Sequence, residues 1–330
     1  NRPHAHPGGH VYQSHQINSY FCDSGWNHVY ISGQSFVWTF ELAAGSCLIC
    51  FRRPISIPIT EILALFTASV SKCQLMNKVL IICGPTATGK TKFALDLARK
   101  FNGELVSADS QQVYLGRDLE TGKDKNLLGN SKIWLLDILK PGEEFSVSAW
   151  RRLAQEAIKD ILSRGKLPIV VGGSGLYIKS LVQDLPDIDV PFDKKLRQEW
   201  ENKSVQELFD YLKSIDLKKA MSMNQSDSKN PRRLIRAIEI QKSPPSLESR
   251  EGQGVSYLQI GLTASREFLQ EKIRRRVADR GLNASFETKE VNIMKKQVVW
   301  FKKQPHITWF DIAVDGWQTQ ALKLVSSWYN

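Results

Sequence analysis

Residues 79–91 read VLIICGPTATGKT, an apolar run of strand length that breaks into a glycine-rich loop ending in Lys90 and Thr91. The loop fits the pattern G-x-x-x-x-G-K-[ST], and the residues after it carry Phe93, Ala94, Leu97 and Ala98 at helical spacing. A strand that turns through such a loop into a helix restricts the chain to a parallel α/β sheet, with the loop at the strand's C-terminal end. Gly84, Pro85, Thr86, Ala87, Thr88, Gly89, Lys90 and Thr91 are therefore candidate phosphate-binding residues. Glycines let backbone amides close round phosphate oxygens, and the helix N-terminus adds partial positive charge. Lys90 neutralises anionic oxygens, and the Thr91 hydroxyl is placed to bind Mg²⁺. The loop does not say which phosphate compound it grips.

Further strands are expected at 104–107, 133–136 and 168–171, ending at Asp109, Asp137 and Gly172, with a helix over 147–164. After Tyr177 strand signals cease, 193–215 and 232–241 read as helices, and Pro186, Pro191, Pro244 and Pro245 punctuate the chain. A polar loop over 243–254 leads to one more strand at 257–262 and a basic helix at 267–280. The expected fold is α/β: a P-loop-type parallel sheet flanked by helices, built from 76–182 and 230–330, with a helical insertion at 183–229.

Residues 1–75 have a different composition. Cys22, Cys47, Cys50 and Cys73 and five of the six histidines lie there, with four of the 45 Lys and Arg and three of the 34 Asp and Glu. That leaves 41 basic against 31 acidic residues downstream, a balance that suits either a polyanionic partner or an ordinary solvated surface. Cys47 and Cys50 form a lone C-x-x-C without a second pair at ligand spacing, which is weak support for a zinc or redox site. The apolar stretch 55–71 is interrupted by Pro58 and Glu61, against a membrane span. Met76 is the first methionine, so translation is expected to start there, with 1–75 outside the native fold.

Asp109, just past the second strand in SADSQQVY, either caps a helix or faces the phosphate site as a proton acceptor. Asp137, in LLD, is a rival carboxylate at a strand end, where a P-loop enzyme holds magnesium. VVGGSGLY (170–177) puts small residues and a hydroxyl where backbone approaches a ligand, or simply makes a tight turn. NPRRLIRAIEI (230–240) and EKIRRRVADR (271–280) carry arginines at helical spacing, which suit solvated faces or phosphate contacts. Lys90 and Asp137 alone would suit a small-molecule kinase.

Together these tracts resemble the tRNA dimethylallyltransferases, also called tRNA isopentenyltransferases. GPTATGKT, ADSQQVY, the D-x-x-T-x-K of Asp118 to Lys123, LPIVVGGSGLYI, NPRRLIRAIEI, IGL with IRRRV, and KKQVVWF occur in the family's order from Met76 to Phe310. The resemblance implies that the loop binds the diphosphate of dimethylallyl diphosphate. The acceptor would be the exocyclic amine of the adenine 3′ of the anticodon, in the anticodon stem-loop of tRNAs reading U-starting codons. It implies that Asp109 takes the amine proton, that Lys90, Thr91 and Arg276 hold the leaving diphosphate with Mg²⁺, and that Ser174 stands where the family usually has Thr. Asp109, Ser110, Gln111 and Gln112, with Arg232, Arg233, Leu234, Ile235 and Arg236, match tRNA-contacting segments, and Arg197 matches a further contact. A cytoplasmic, monomeric enzyme without membrane attachment is implied. Only 14 residues, 283–296, separate Leu282 from Gln297, where the family has a further helical stretch. That shortening opens a third reading, a tRNA-binding homologue impaired in catalysis.

Overall fold

The computed structural model describes residues 78–121, 123, 132–243 and 255–330, together with strand residues 17–21, 26–31, 37–43 and 46–48. Cys50, the apolar stretch 55–71, Met76 and the loop after Ser243 lie outside the described residues. The chain divides into two compact units, 1–68 and 69–330. In the first, β1 (Ile17–Phe21), β2 (Trp26–Ile31), β3 (Val37–Ala43) and β4 (Ser46–Leu48) pair antiparallel in sequence order. The sequence reading assigns no strand to this stretch.

The second unit begins with β5 (Lys78–Cys83), α1 (Lys90–Lys100), β6 (Gly103–Ser107), α2 (Asp118–Thr121) and β7 (Ile133–Trp134). It continues with α3 (Val147–Ser163), β8 (Leu167–Gly172) and α4 (Gly175–Val182). A helical stretch follows: α5 (Lys194–Trp200), α6 (Val205–Ile215), α7 (Leu217–Ser222), α8 (Gln225–Ser228) and α9 (Pro231–Lys242). The chain then returns to the sheet with β9 (Ser256–Thr263), α10 (Arg266–Asp279), α11 (Ala284–Phe301), β10 (Thr308–Asp311) and α12 (Trp317–Tyr329).

The sheet order is β10-β9-β5-β8-β6-β7, with every pair parallel. Alternation along a strand sends neighbouring side chains to opposite faces. Val79, Ile81 and Cys83 of β5 pack with Trp150, Ala154 and Ile158 of α3 and Ile178 of α4. Leu80 and Ile82 pack on the other face with Phe93 and Leu97 of α1 and Ala321 and Val325 of α12. Both faces are covered, which is why β5 and β8 read as unbroken apolar runs rather than alternating ones. Each large aliphatic side chain that β5 takes from water contributes about 1.5–3 kcal/mol before the entropy of ordering the chain is counted.

Three boundaries differ from the sequence expectation. β7 stops at Trp134 because Leu135 (φ 61°) and Asp137 (φ 54°) adopt left-handed backbone conformations that no strand continues through. The helix expected over 193–215 is two, since Ser204 and Glu207 form a reciprocal capping box that starts α6. The helical insertion also runs past 229: Leu234, Ile235, Ala237 and Ile238 of α9 share one core with Leu196, Trp200, Leu208, Leu212 and Ala220.

Glu239 ties this helical cluster together, its side chain only 1% exposed. Arg197 Nε and Nη2 donate to its two oxygens at 2.6 and 2.9 Å, and Arg236 Nη1 donates at 3.0 Å. Burial pushes the Glu239 carboxyl up, but hydrogen bonds from Arg197 and Arg236 outweigh it and hold the group below the usual carboxylate range. A depressed carboxyl adds stability above its unfolded pKa and loses it as pH falls. Because both arginines are about a third exposed, Glu239→Ala is expected to cost about 2 kcal/mol at neutral pH. The difference from the parent should narrow below roughly pH 4. Urea unfolding of both proteins at neutral and acid pH checks this.

Candidate active site

The phosphate loop joins β5 to α1, with Gly89 at the helix N-cap. Its interior is closed by short bonds: the Thr88 hydroxyl donates to the Pro85 carbonyl at 2.9 Å, and Lys90 Nζ donates to the same carbonyl at 2.6 Å. Burial pushes the Lys90 ammonium down to about 8, opposed by the nearby Asp109 carboxylate and reinforced by Arg276. Thr91 is half-buried in the first turn of α1.

Two further loops meet this one. Ala108 N donates to Val171 O at 2.8 Å and Ser174 N to Ala108 O at 3.0 Å, so the loops leaving β6 and β8 run together. The Ser174 hydroxyl oxygen accepts from Ser110 N at 2.8 Å. Asp109 Oδ1 accepts from the amides of Gln111 and Gln112 at 2.8 and 3.3 Å. The aspartate thus caps its own turn and also faces the Lys90 field. The carboxylate caps a turn rather than a helix, and the cap fixes it where its charge is felt at Lys90. Nearby, Tyr177 lies stacked on Trp150, ring centres 4.6 Å apart, with its phenol pushed up to about 12 by burial and by Tyr114 and Asp109.

Helix α11 locks the phosphate loop to the β8 loop. Thr86 N donates to Gln297 Oε1 at 2.8 Å, and Gln297 Nε2 donates to Gly173 O at 3.1 Å. The approach is close: a Cβ on Gly175 would lie 2.1 Å from the Trp300 ring, and one on Gly173 2.3 Å from Gln297 Nε2, so that the Gln297 amide would have to give up its place. Arg276 of α10 reaches the same loop, its Nη2 donating to Thr86 Oγ1 at 3.0 Å, and it pairs with Glu290 of α11. The connection from α10 to α11 is a compact turn over Arg280–Asn283. Gly281 N bonds Ala278 O and Leu282 N bonds Val277 O, with Gly281 at φ 64°, a helix-ending motif that few residues other than glycine adopt. Asn283 then caps α11 through Ser285 N at 3.0 Å. Leu269, Ile273, Val277 and Met294 seal the α10–α11 hairpin against Ala87.

Asp137 stands elsewhere. Its carboxylate lies 2.5 Å from Lys123 Nζ, whose side chain is fully buried and is also 3.5 Å from Asp118. β7 is three positions from β5 in the sheet, a lateral distance of about 14 Å at roughly 4.8 Å per strand. Asp137 is a partner of Lys123.

The candidate RNA-contacting residues divide by environment. Arg197 and Arg236 hold Glu239, and Arg236 Nη2 also donates to the Asp187 and Val190 carbonyls at 2.7 and 2.9 Å. Leu234 and Ile235 lie in the helical core, so their side chains do not face a partner. The Leu234 and Ile235 side chains serve internal packing, whereas Arg197 and Arg236 stay about a third exposed while they hold Glu239. Arg232 is exposed and makes no ion pair among the described residues, whereas the exposed Arg233 pairs with Asp227. Gln112 is used inside the protein, donating to Thr121 O at 3.1 Å and accepting from Ser107 Oγ at 3.3 Å. Gln111 is exposed and accepts from Arg117 at 3.0 Å. Neither Glu290 nor Gln297 stands out in the sequence as a site residue. Their separation of seven residues, two helical turns, is the signal that places both on one face of α11.

A parallel sheet covered on both faces, with an anion cradle at β5 and a carboxylate loop bonded to it, defines an α/β P-loop-type protein. Residues 112–286 match the IPP transferase family model. A tRNA dimethylallyltransferase of Acetivibrio thermocellus is 43% identical over 214 residues, 61% of this chain and 67% of that protein. One from Anoxybacillus flavithermus is 36% identical over 288 residues, 72% of this chain and 92% of that protein. The crystal structure of the tRNA isopentenylpyrophosphate transferase of Bacillus halodurans aligns with a TM-score of 0.53 at 31% identity, covering 77% of this chain and 97% of that one. The fold is also that of a eukaryotic dimethylallyltransferase acting on tRNA, TM-score 0.65 at 22% identity over 76% of this chain and 77% of that one. The chain belongs to the tRNA dimethylallyltransferase family, whose members are prenyltransferases. Among its described residues no helix is long and apolar enough to cross a membrane.

A lysine whose pKa lies at about 8 loses its charge just above neutral pH. Affinity for inorganic pyrophosphate is therefore expected to weaken as pH rises through that range, and to do so less in Lys90→Arg, whose guanidinium stays charged. Isothermal titration calorimetry between pH 7 and about 9.5 checks this.

Proposed function

We propose that this chain transfers the dimethylallyl group of dimethylallyl diphosphate to the N6 amine of the adenine immediately 3′ of the anticodon, in tRNAs reading codons that begin with U. The observation that carries the reading is the bonded frame joining Asp109, Ser110, Ser174, Gly173, Gln297 and Thr86. It holds a proton-accepting carboxylate at a fixed place relative to an anion cradle, as a one-step group transfer requires. Family membership supplies the tRNA and the prenyl donor as the substrates that fit these two halves.

In this reading the N6 lone pair attacks C1 of the allyl group, the bond from C1 to the bridging diphosphate oxygen breaks, and Asp109 takes the N6 proton. Lys90 and Arg276 face the departing diphosphate, where charge builds as the bond breaks. The Ser174 hydroxyl, held by Ser110 N, keeps the Asp109 loop in register. The magnesium that the family implies fits a substrate-borne ion. Thr91 offers one hydroxyl oxygen, and the strand-end carboxylate Asp137 is engaged by Lys123, so diphosphate oxygens and water would complete its shell. Such an ion would stabilise charge on the leaving group. Within the helical cluster, exposed Arg232 and Arg233 are the residues suited to tRNA phosphates, in a cytoplasmic enzyme acting as a monomer.

The test combines the full chain, an unmodified anticodon stem-loop, Mg²⁺ and radiolabelled dimethylallyl diphosphate. Label should enter the RNA, and ATP should not replace the donor; absence of label with folded protein would overturn the reading. Asp109→Ala should lower single-turnover transfer by about 10²–10⁴ with tRNA affinity unchanged, and a normal rate would remove Asp109 from the base role. Arg232→Gln should weaken stem-loop binding and reduce the salt slope by about one. A slope equal to the parent's would place the phosphate contacts elsewhere.

A further inference from the structure

Helix α11 carries a carboxylate into the phosphate loop, where anion binding alone calls for none. Gln297 fixes the helix on the Thr86 amide, and two turns earlier Glu290 projects from the same face. Glu290 Oε2 accepts from the Thr86 hydroxyl at 3.4 Å and pairs with Arg276 Nη2, the nitrogen that also reaches Thr86 Oγ1 at 3.0 Å. The pair is largely withdrawn from solvent, the Glu290 side chain 15% and the Arg276 side chain 25% exposed. The other charged groups facing the loop are Lys90 and Asp109, and the Glu290 charge is felt at Lys90. The guanidinium that faces the loop is thus already matched to an anion supplied by the chain itself.

We propose that Glu290 sets the affinity of the diphosphate site by competing with the donor for Arg276. The inference rests on the reading of the phosphate loop as the donor's diphosphate site. An arginine fork fits a carboxylate and a phosphate by the same geometry, so one face of Arg276 serves one of them at a time. A diphosphate entering the loop draws Arg276 away from Glu290 and then lies beside an uncompensated carboxylate in a sparsely solvated pocket. Both effects weaken binding of the donor and of the inorganic diphosphate left after transfer. When that product departs, Glu290 recaptures Arg276. The carboxylate therefore favours turnover over retention of product, and the acceptor half of the site, on the Asp109 and Ser174 loops, is untouched by the exchange.

The test is Glu290→Gln in the full chain, which keeps size and a hydrogen-bond acceptor while removing the charge. Inorganic pyrophosphate and dimethylallyl diphosphate are each titrated by calorimetry in Mg²⁺, with stem-loop binding measured alongside. Both diphosphates should bind roughly tenfold more tightly to the variant, a gain of about 1.4 kcal/mol. The donor KM should fall with it, stem-loop affinity should stay within about twofold, and multiple-turnover kcat should drop below the single-turnover rate as product release slows. Unchanged or weaker diphosphate binding by a folded Glu290→Gln protein overturns the proposal, since a carboxylate that merely orients Arg276 gives that result. Should Glu290→Gln fail to fold, as judged by thermal melting, Glu290→Ala supplies the same comparison. If the parent binds neither diphosphate, the loop reading itself fails and this inference with it. If the parent binds and the variants bind no better, only the inference fails.

Discussion

The two hydrogen bonds of Gln297, from Thr86 N and to Gly173 O, connect elements that the sheet alone leaves independent. β5 and β8 are neighbours, but the loops that leave them project beyond the last strand bonds, and a loop without a cross-tie samples many positions. One amide side chain removes that freedom by satisfying a donor on one loop and an acceptor on the other. Through Ser174 N on Ala108 O, and Ser110 N on Ser174 Oγ, the tie continues to the loop that holds Asp109. The cost of the arrangement is borne by side-chain volume: Gly173 and Gly175 exist because the Gln297 amide and the Trp300 ring occupy the space of their β-carbons. A sequence that reads VVGGSGLY is thus recording the proximity of a helix more than a hundred residues away.

That distance marks the limit of what the sequence makes legible. The phosphate loop, the strands at β5, β6 and β8 and the helices α3 and α10 follow from local rules, because a buried parallel strand and an amphipathic helix each carry their own pattern. Asp109 is legible as a candidate because its position just beyond a strand end is a local fact. Its capping of the turn and its shared field with Lys90 require the fold. β10 and α12 were outside the sequence reading, since Thr308–Asp311 is a four-residue edge strand whose pairing with β9 is purely tertiary. The turn between α10 and α11 is likewise a product of the fold: Gly281 in a left-handed conformation ends one helix, Asn283 starts the next, and the four residues 280–283 suffice to aim Gln297 back at the loop.

Arginines show the same limit more sharply. Arg197, Arg232, Arg233 and Arg236 look alike in a sequence, yet two of them grip one buried carboxylate and two face solvent. The deciding residue is Glu239, one turn beyond Arg236 on the same helix and therefore able to accept from it, while α5 packs close enough to bring Arg197 onto both carboxylate oxygens. A buried acid needs partners more than a surface arginine needs a ligand, so the desolvation of Glu239 dictates where two cations go.

The same logic governs the phosphate loop, where Arg276 and Glu290 meet at Thr86 and Lys90 feels the charges of both Asp109 and Glu290. Among these four groups the two cations are matched by two carboxylates, although the chain as a whole carries a formal +11. A strongly cationic pocket would bind any nucleotide or free diphosphate tightly, and would hold the product as firmly as the substrate. With charges paired, discrimination falls to geometry: which anion offers oxygens that suit the loop amides and the Arg276 fork together, while its carbon end lies towards the carboxylate held by Ser110, Ser174 and the turn at Gln111.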